Sequence, residues 1–323
     1  LIIGGGIKMY SLEKATKPTI YFIGVTTTKS SIMKVFPKWA ARIGLDAVIK
    51  GIDIEIHANP GVYREVVDFI KNDPLSMGAL VTTHKIDLYN AAKDMFDYLD
   101  PYAQMFGELS SISKRDGRLR GHAKDPISSG LSMEAFIPEG FWEKHGGEVF
   151  IMGAGGSARA ISAYLLDKKK GQNIPSRIIV SNRSEPRLIE IKKLINEINP
   201  EVPAEYHLAR EHEVNDRILE KVKEYSLIVN ATGLGKDRPG SPLTDACNFP
   251  KNSLVWELNY RGDLRFMHQA LEQKDEKNLY VEDGWIYFIH GWTLVIAEVF
   301  DMDIKGELFK EFERAAEEVR TDK

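Results

Sequence analysis

Short apolar runs alternate with stretches of helical period through the first third of the chain. Residues 19–24, 47–56 and 79–82 read as strands, and 32–43 and 60–71 as helices, a βαβαβ order. A hairpin follows, 110–114 turning through Asp116-Gly117 into 119–121, since Asp-Gly between short runs marks a tight turn. A helix around 128–136 runs into Pro138-Glu139-Gly140, a break after which the pattern restarts. Strands are then expected at 149, 178, 205–208, 227–230, 254–257 and 279–281, with helices between several of them, which is the pattern of a doubly wound sheet. The closing stretches 292–300 and 307–319 are amphipathic and helical, and are expected to pack back on the first domain. The predicted class is α/β with two domains, 1–127 plus 286–323 and 128–285, the second a Rossmann domain. No internal repeat is present.

The most specific chemistry lies where the second pattern begins. Val149-Phe150-Ile151-Met152 runs into Gly153-Ala154-Gly155-Gly156-Ser157-Ala158, a G-x-G-x-x-A turn opening a helix. The first glycine permits the turn, and the second lets a pyrophosphate approach the main chain. Ala158 allows close helix–strand packing while the helix N-terminus faces the phosphates. The next apolar strand, Ile178-Ile179-Val180, ends in Ser181-Asn182-Arg183-Ser184, with Arg187 one turn later. A site for NAD would place Asp or Glu there for the ribose 2′-hydroxyl. Arginine beside a helix N-terminus is unfavourable unless an anion is expected. The predicted dinucleotide therefore carries a 2′-phosphate, as NADP does. Each charge-assisted bond from Arg183 or Arg187 would contribute about 1.5–3 kcal/mol, with Asn182 and Ser184 adding to the preference over NAD.

Composition narrows the class. The chain has 323 residues, 43% hydrophobic and 28% charged, with net charge -4. That is ordinary for a water-exposed two-domain protein and offers no general attraction to nucleic acid, with Lys168 to Lys170 too short a basic run to alter this. The single cysteine, Cys247, cannot form an internal disulfide, and no C-x-x-C or H-E-x-x-H pattern offers a metal site. No run approaches the ~20 apolar residues of a membrane span, and residues 1–9 lack the regions of a secretion signal. The expectation is a cytoplasmic protein with a small-molecule substrate, no metal, no nucleic acid and no membrane; a homodimer is left open.

Taken together, the motifs resemble the shikimate/quinate dehydrogenase family over nearly the whole chain. Val81-Thr82-Thr83-His84-Lys85 is similar to its N-V-T-x-P-x-K loop with one residue fewer, and Gly121-His122-Ala123-Lys124-Asp125 to its G-x-N-T-D segment. Asn230-Ala231-Thr232 matches the N-A-T turn, Glu257-Leu258-Asn259-Tyr260 stands for D-L-x-Y, Asp283-Gly284 opens the last helix, and Asn182-Arg183-Ser184 is close to N-R-T. The resemblance implies an NADP-dependent oxidoreductase of the shikimate pathway of aromatic amino acid biosynthesis, with an N-terminal substrate domain. Lys85 and Asp125 would be the catalytic pair. It also implies dinucleotide contacts from Ala231, Thr232 and Gly284 and a substrate held in the cleft between the domains. Hydride transfer to or from a secondary alcohol needs a group that takes or returns the hydroxyl proton, worth roughly 10²–10⁴ in rate.

The substrate positions depart from the family. Of its S-x-S serines, Ser30 occupies the first place and Ile32 the second, unless a shifted pairing of Thr28 with Ser30 applies. Leu80, Ser110, Lys124, Gly291 and Ile286 replace residues that contact substrate or nicotinamide in the family. Ser30, Thr82, Ser110, Lys124 and Tyr260 remain candidate substrate contacts; Lys124 is either a new anchor for an anion or an ordinary surface lysine. His84 reads first as a packing residue. A site stripped of that many polar partners discriminates against shikimate, so a related hydroxylated ring is also admitted. A second reading, a non-catalytic dinucleotide- or metabolite-binding regulator on the same fold, stands beside the enzyme.

Overall fold

The computed structural model describes residues 12–321 except Asp237, so the opening residues 1–9 lie outside the described residues. Twelve strands are described: β1 (Thr19–Gly24), β2 (Val48–Asp53), β3 (Ser76–Val81), β4 (Tyr98–Leu99), β5 (Ser111–Arg115), β6 (Arg118–His122), β7 (Val149–Met152), β8 (Ile178–Asn182), β9 (Ala204–Leu208), β10 (Leu227–Asn230), β11 (Leu254–Glu257) and β12 (Tyr280–Glu282). The chain divides at Lys124/Asp125 and Gly291/Trp292, where the sequence pattern placed the divisions at 127/128 and 285/286.

In the first unit the strand order is β2-β1-β3-β5-β6-β4. β1 lies parallel to β2 and β3, and β5 runs antiparallel to both β3 and β6. β3 and β6 therefore point the same way, and the segments leaving them emerge at one edge of the sheet. The helix Ile32–Arg42 turns Ile32, Val35, Phe36 and Trp39 inward at helical spacing. Asn59 caps the helix Pro60–Asn72 by accepting the Gly61 N–H at 2.9 Å, and proline at its first position loses no intrahelical bond. The C-terminal segment completes this core. Trp292 meets Phe22 edge-on at 5.1 Å, Phe300 stacks on Phe36 at 6.4 Å, and Phe312 stacks on Trp39 at 5.0 Å. The Trp39 indole N–H also donates to the Phe312 carbonyl at 2.7 Å, satisfying the polar end of a fully buried ring.

The second unit carries a wholly parallel sheet in the order β12-β11-β10-β7-β8-β9, the doubly wound arrangement expected from the pattern. β7 and β10 are neighbours although β8 and β9 intervene in sequence. The order reverses between them, and ligands of such sheets bind at that crevice beyond the carboxyl ends. Strands buried on both faces explain the unbroken apolar runs at 149–152 and 227–229. No described helix is long and apolar enough to cross a membrane.

Candidate active site

Gly153 and Ala231 directly follow β7 and β10, the two strands that flank the reversal. Gly153 has φ +113, and a Cβ there would lie 2.5 Å from the Ala231 carbonyl oxygen, so only glycine fits the turn. Gly155 differs. Its backbone is extended, φ -84 and ψ -168, and a Cβ would meet no protein atom within 4 Å. The protein does not require glycine at 155, whereas a ligand pressed against the main chain would. Gly155 caps the helix Gly156–Leu165, whose opening N–H groups, on Gly156, Ser157 and Ala158, have no acceptor within the helix. Ala154 and Ala158 are buried against the sheet. This cradle suits a pyrophosphate.

At the end of β8, the Asn182 amide donates to the Ser184 carbonyl at 3.3 Å. Arg183 and Arg187 are exposed, Arg187 with a loose 3.9 Å pair to Glu190. All β strands here being parallel, these residues share the sheet edge with Gly153, Ala231 and Thr232.

A buried polar network lies at the ends of β10 and β11, and motif matching did not reveal it. One oxygen of Glu257 accepts the Asn230 amide at 2.7 Å; the other accepts the Asn259 main-chain N–H at 2.8 Å and side-chain amide at 2.7 Å. Asn230 in turn accepts from the Thr232 N–H at 3.1 Å and hydroxyl at 2.7 Å. Both asparagines donate to the Leu234 carbonyl, at 3.2 and 2.9 Å, and the Asn259 carbonyl accepts the Gly284 N–H at 3.0 Å. One carboxyl thus shapes the turns after three adjacent strands. Burial pushes it up to about 7, against hydrogen bonds from Asn259 and Asn230 that pull it down. The signal was present as Asn230 and Glu257-x-Asn259 at neighbouring strand ends. Tyr260, half-buried beyond it, packs on Trp285 and Phe288 with ring centroids 5.2 and 4.8 Å away.

In the first unit Lys85 is the first residue of the helix Lys85–Ala92, where a loop was expected. Its carbonyl accepts the Leu109 N–H at 3.1 Å, and the adjacent Ser110 N–H donates to the His122 carbonyl at 2.9 Å. The Ser110 hydroxyl accepts the Lys124 N–H at 2.7 Å. Two consecutive residues therefore bind the Lys85 segment and the segment leading to Asp125, drawing together main chain nearly forty residues apart. Asp100 steadies the second segment by accepting the Ala123 N–H at 3.2 Å. Asp125 opens the second unit and the helix Asp125–Glu134, its carbonyl accepting the Ser128 and Ser129 hydroxyls at 3.1 and 2.7 Å.

Other candidates differ in what they touch. The Thr82 hydroxyl donates to the Ile23 carbonyl at 3.3 Å. Ser30 is half-buried after the short 3₁₀ turn Thr27–Lys29, on which Thr28 is exposed, while Ile32 is 0% exposed in the core. Ser110 is buried and its hydroxyl is engaged internally. Lys124 is neither a bare surface lysine nor an open charge: its ammonium lies 2.9 Å from Glu298, both side chains about 15% exposed. His122 Nε2 is 3.5 Å from the same carboxylate. Burial opposes ionisation of Glu298, but the Lys124 bond and the neighbouring positive charges outweigh it and hold the carboxyl below the usual range. Burial, with Lys124 alongside, pushes His122 down to about 4. His84 is fully buried with Nδ1 3.1 Å from the Tyr63 hydroxyl, as a packing residue. The described residues hold no cluster of three or more potential metal ligands.

No family model matches the chain. Shikimate dehydrogenase (NADP(+)) of Streptococcus thermophilus is 28% identical over 185 residues, 56% of this chain and 59% of that protein, so the match spans under two thirds of that relative's length. The Thermus thermophilus protein of the same name is 27% identical over 243 residues, 75% of this chain and 77% of its own. Among solved structures, quinate dehydrogenase from Corynebacterium glutamicum in complex with NAD superposes with a TM-score of 0.73 at 17% identity, covering 95% of this chain and 99% of that one. At that identity the likeness speaks for the fold.

Proposed function

For a chain that is shikimate dehydrogenase-like in sequence and fold, we propose an NADP(H)-dependent oxidoreductase that interconverts a secondary alcohol and a ketone on shikimate, quinate or a related hydroxylated ring. Bound NADP supplies the hydride acceptor or donor. Gly153–Ala158 would hold its pyrophosphate, and Asn182, Arg183, Ser184 and Arg187 its 2′-phosphate. Ala231, Thr232 and Gly284 would flank the other half.

The Lys85 ammonium would donate a proton to the nascent alkoxide in reduction, and the amine would take the hydroxyl proton in oxidation. A cation in a helix's first turn faces the positive end of the dipole, so a carboxylate partner is favourable, and Asp125 is assigned that role. Ser30, Thr82 and Tyr260 are proposed as substrate contacts. Ser110 and Lys124 are placed with them because they shape the segment that ends at Asp125.

The observation that carries this reading is Gly155. The fold leaves room for a side chain there, yet the chain keeps a glycine in the middle of a phosphate-type turn. The relatives named for NADP(+) support the cofactor, and the arginines at the end of β8 support it independently. The test is absorbance at the nicotinamide band with NADP+ and NADPH across shikimate, quinate and related cyclitol alcohols and ketones. Turnover of one member supports the enzyme. Tight NADPH binding with no turnover of any member would favour the regulator instead.

A further inference from the structure

A doubly wound sheet gives one mononucleotide to each half, and with the 2′-phosphate at β8 the nicotinamide end falls to the half built from β10, β11 and β12. Glu257 ends β11, the middle strand of that half, and is 0% exposed. It receives three N–H bonds and donates none, the pattern of an ionised carboxylate. Its partners are two neutral amides and one main-chain N–H. No cation is among them.

Asp283, after β12, is a second anion whose charge acts on Glu257. Lys236 places its ammonium over the Tyr260 ring at 5.8 Å. His290, on the helix Trp285–Phe300, is pushed down to about 4 by burial and is neutral at physiological pH. A buried carboxylate without a counter-ion is costly to retain unless something cationic is brought to it. The oxidised nicotinamide ring is such a cation, and the reduced ring is neutral.

We propose that Glu257 is a charge-selecting residue for the cofactor: its buried carboxylate lies on the nicotinamide side of the site and favours the oxidised over the reduced dinucleotide. The proposal rests on the dinucleotide reading above. Because burial brings Glu257 up to about 7, the preference follows its ionisation: weak in mild acid, strong in mild alkali.

The experiment is a pair of equilibrium titrations of the full chain with NADP+ and with NADPH, from about pH 6 to about pH 8. The ratio of the NADPH to the NADP+ dissociation constant is expected to rise about tenfold over that range, as for unit charges some 10 Å apart in a protein medium. The 2′-phosphate is common to both ligands, so its own titration cancels in the ratio. Glu257→Gln should give a lower, pH-independent ratio. Asp283→Asn leaves the Glu257 contacts in place and removes a charge that raises its carboxyl, so the midpoint should move to lower pH. A wild-type ratio that is flat with pH and unchanged in Glu257→Gln would overturn the proposal while both ligands still bind. Equal weakening of both ligands by Glu257→Gln would also overturn it, reducing Glu257 to a brace for the turns. Failure of the wild-type chain to bind either ligand would remove the dinucleotide reading and this one with it.

Discussion

Replacing Gly155 by alanine separates what the fold needs from what a ligand needs. The backbone at 155, φ -84 and ψ -168, is open to any L-residue, and the added methyl meets no protein atom within 4 Å. Alanine is the poorer N-cap, which offsets the about 0.4–1 kcal/mol gained through a less flexible unfolded chain, so the unliganded variant should match the parent to within about 1 kcal/mol. The methyl would occupy the surface on which a pyrophosphate rests, an overpacking worth about 1–3 kcal/mol, or roughly tenfold to a hundredfold in affinity. Gly153→Ala is the contrast. Its methyl would fall 2.5 Å from the Ala231 carbonyl oxygen on a backbone of φ +113, so that variant should lose stability by about 1–3 kcal/mol before any ligand is added. Thermal unfolding with and without NADPH reads both effects, because a ligand that binds only the folded state raises the midpoint by mass action. A Gly155→Ala protein that keeps the full NADPH-induced shift would refute the reasoning.

Lys85→Ala should lower turnover by about 10² or more with NADPH affinity unchanged, measured by steady-state kinetics beside direct titration; equal turnover would remove Lys85 from the chemistry. Arg183→Ala should weaken NADPH far more than NADH, and equal losses would contradict the 2′-phosphate assignment. Lys124→Met strands the Glu298 carboxylate in a mostly buried site and should cost about 1–3 kcal/mol in chemical denaturation, much of it recovered when Glu298→Leu is added. His122, ordinarily near 6.5, is held down to about 4 in the fold. The unfolded chain therefore takes up that proton first as the pH falls, so stability should decline from about pH 6.5 to about pH 4, and less steeply in His122→Gln. An identical decline in the variant would exclude His122 as a source.

Where one local pattern determines the outcome, reading and structure agree closely. β1 occupies the predicted 19–24, the Asp116-Gly117 turn joins β5 to β6, and the second sheet has the expected winding. Local signals failed where the determinant lies elsewhere in the chain. The helix Lys85–Ala92 has so little amphipathic contrast that its first residue read as loop. The pairing of Lys124 with Glu298 joins residues 174 positions apart, so no spacing rule could reveal that the charge is already met. The hydrogen bond from the Lys124 N–H to the Ser110 hydroxyl depends on strand register, which no local run of residues displays. The Glu257 network was half visible, in residue types at strand ends, but its hub needed the neighbouring strands side by side.

The first unit's core is closed by a segment that follows the whole second unit in sequence, through Trp292 on Phe22, Phe300 on Phe36 and Phe312 on Trp39. On a ribosome, residues 12–124 must wait for that closing segment, whereas the continuous unit 125–291 has all its strands as soon as it emerges. The earlier-made unit thus matures after the later-made one, and truncation before Trp292 leaves the second unit's sheet complete but tethered to a first unit that lacks its aromatic keystones.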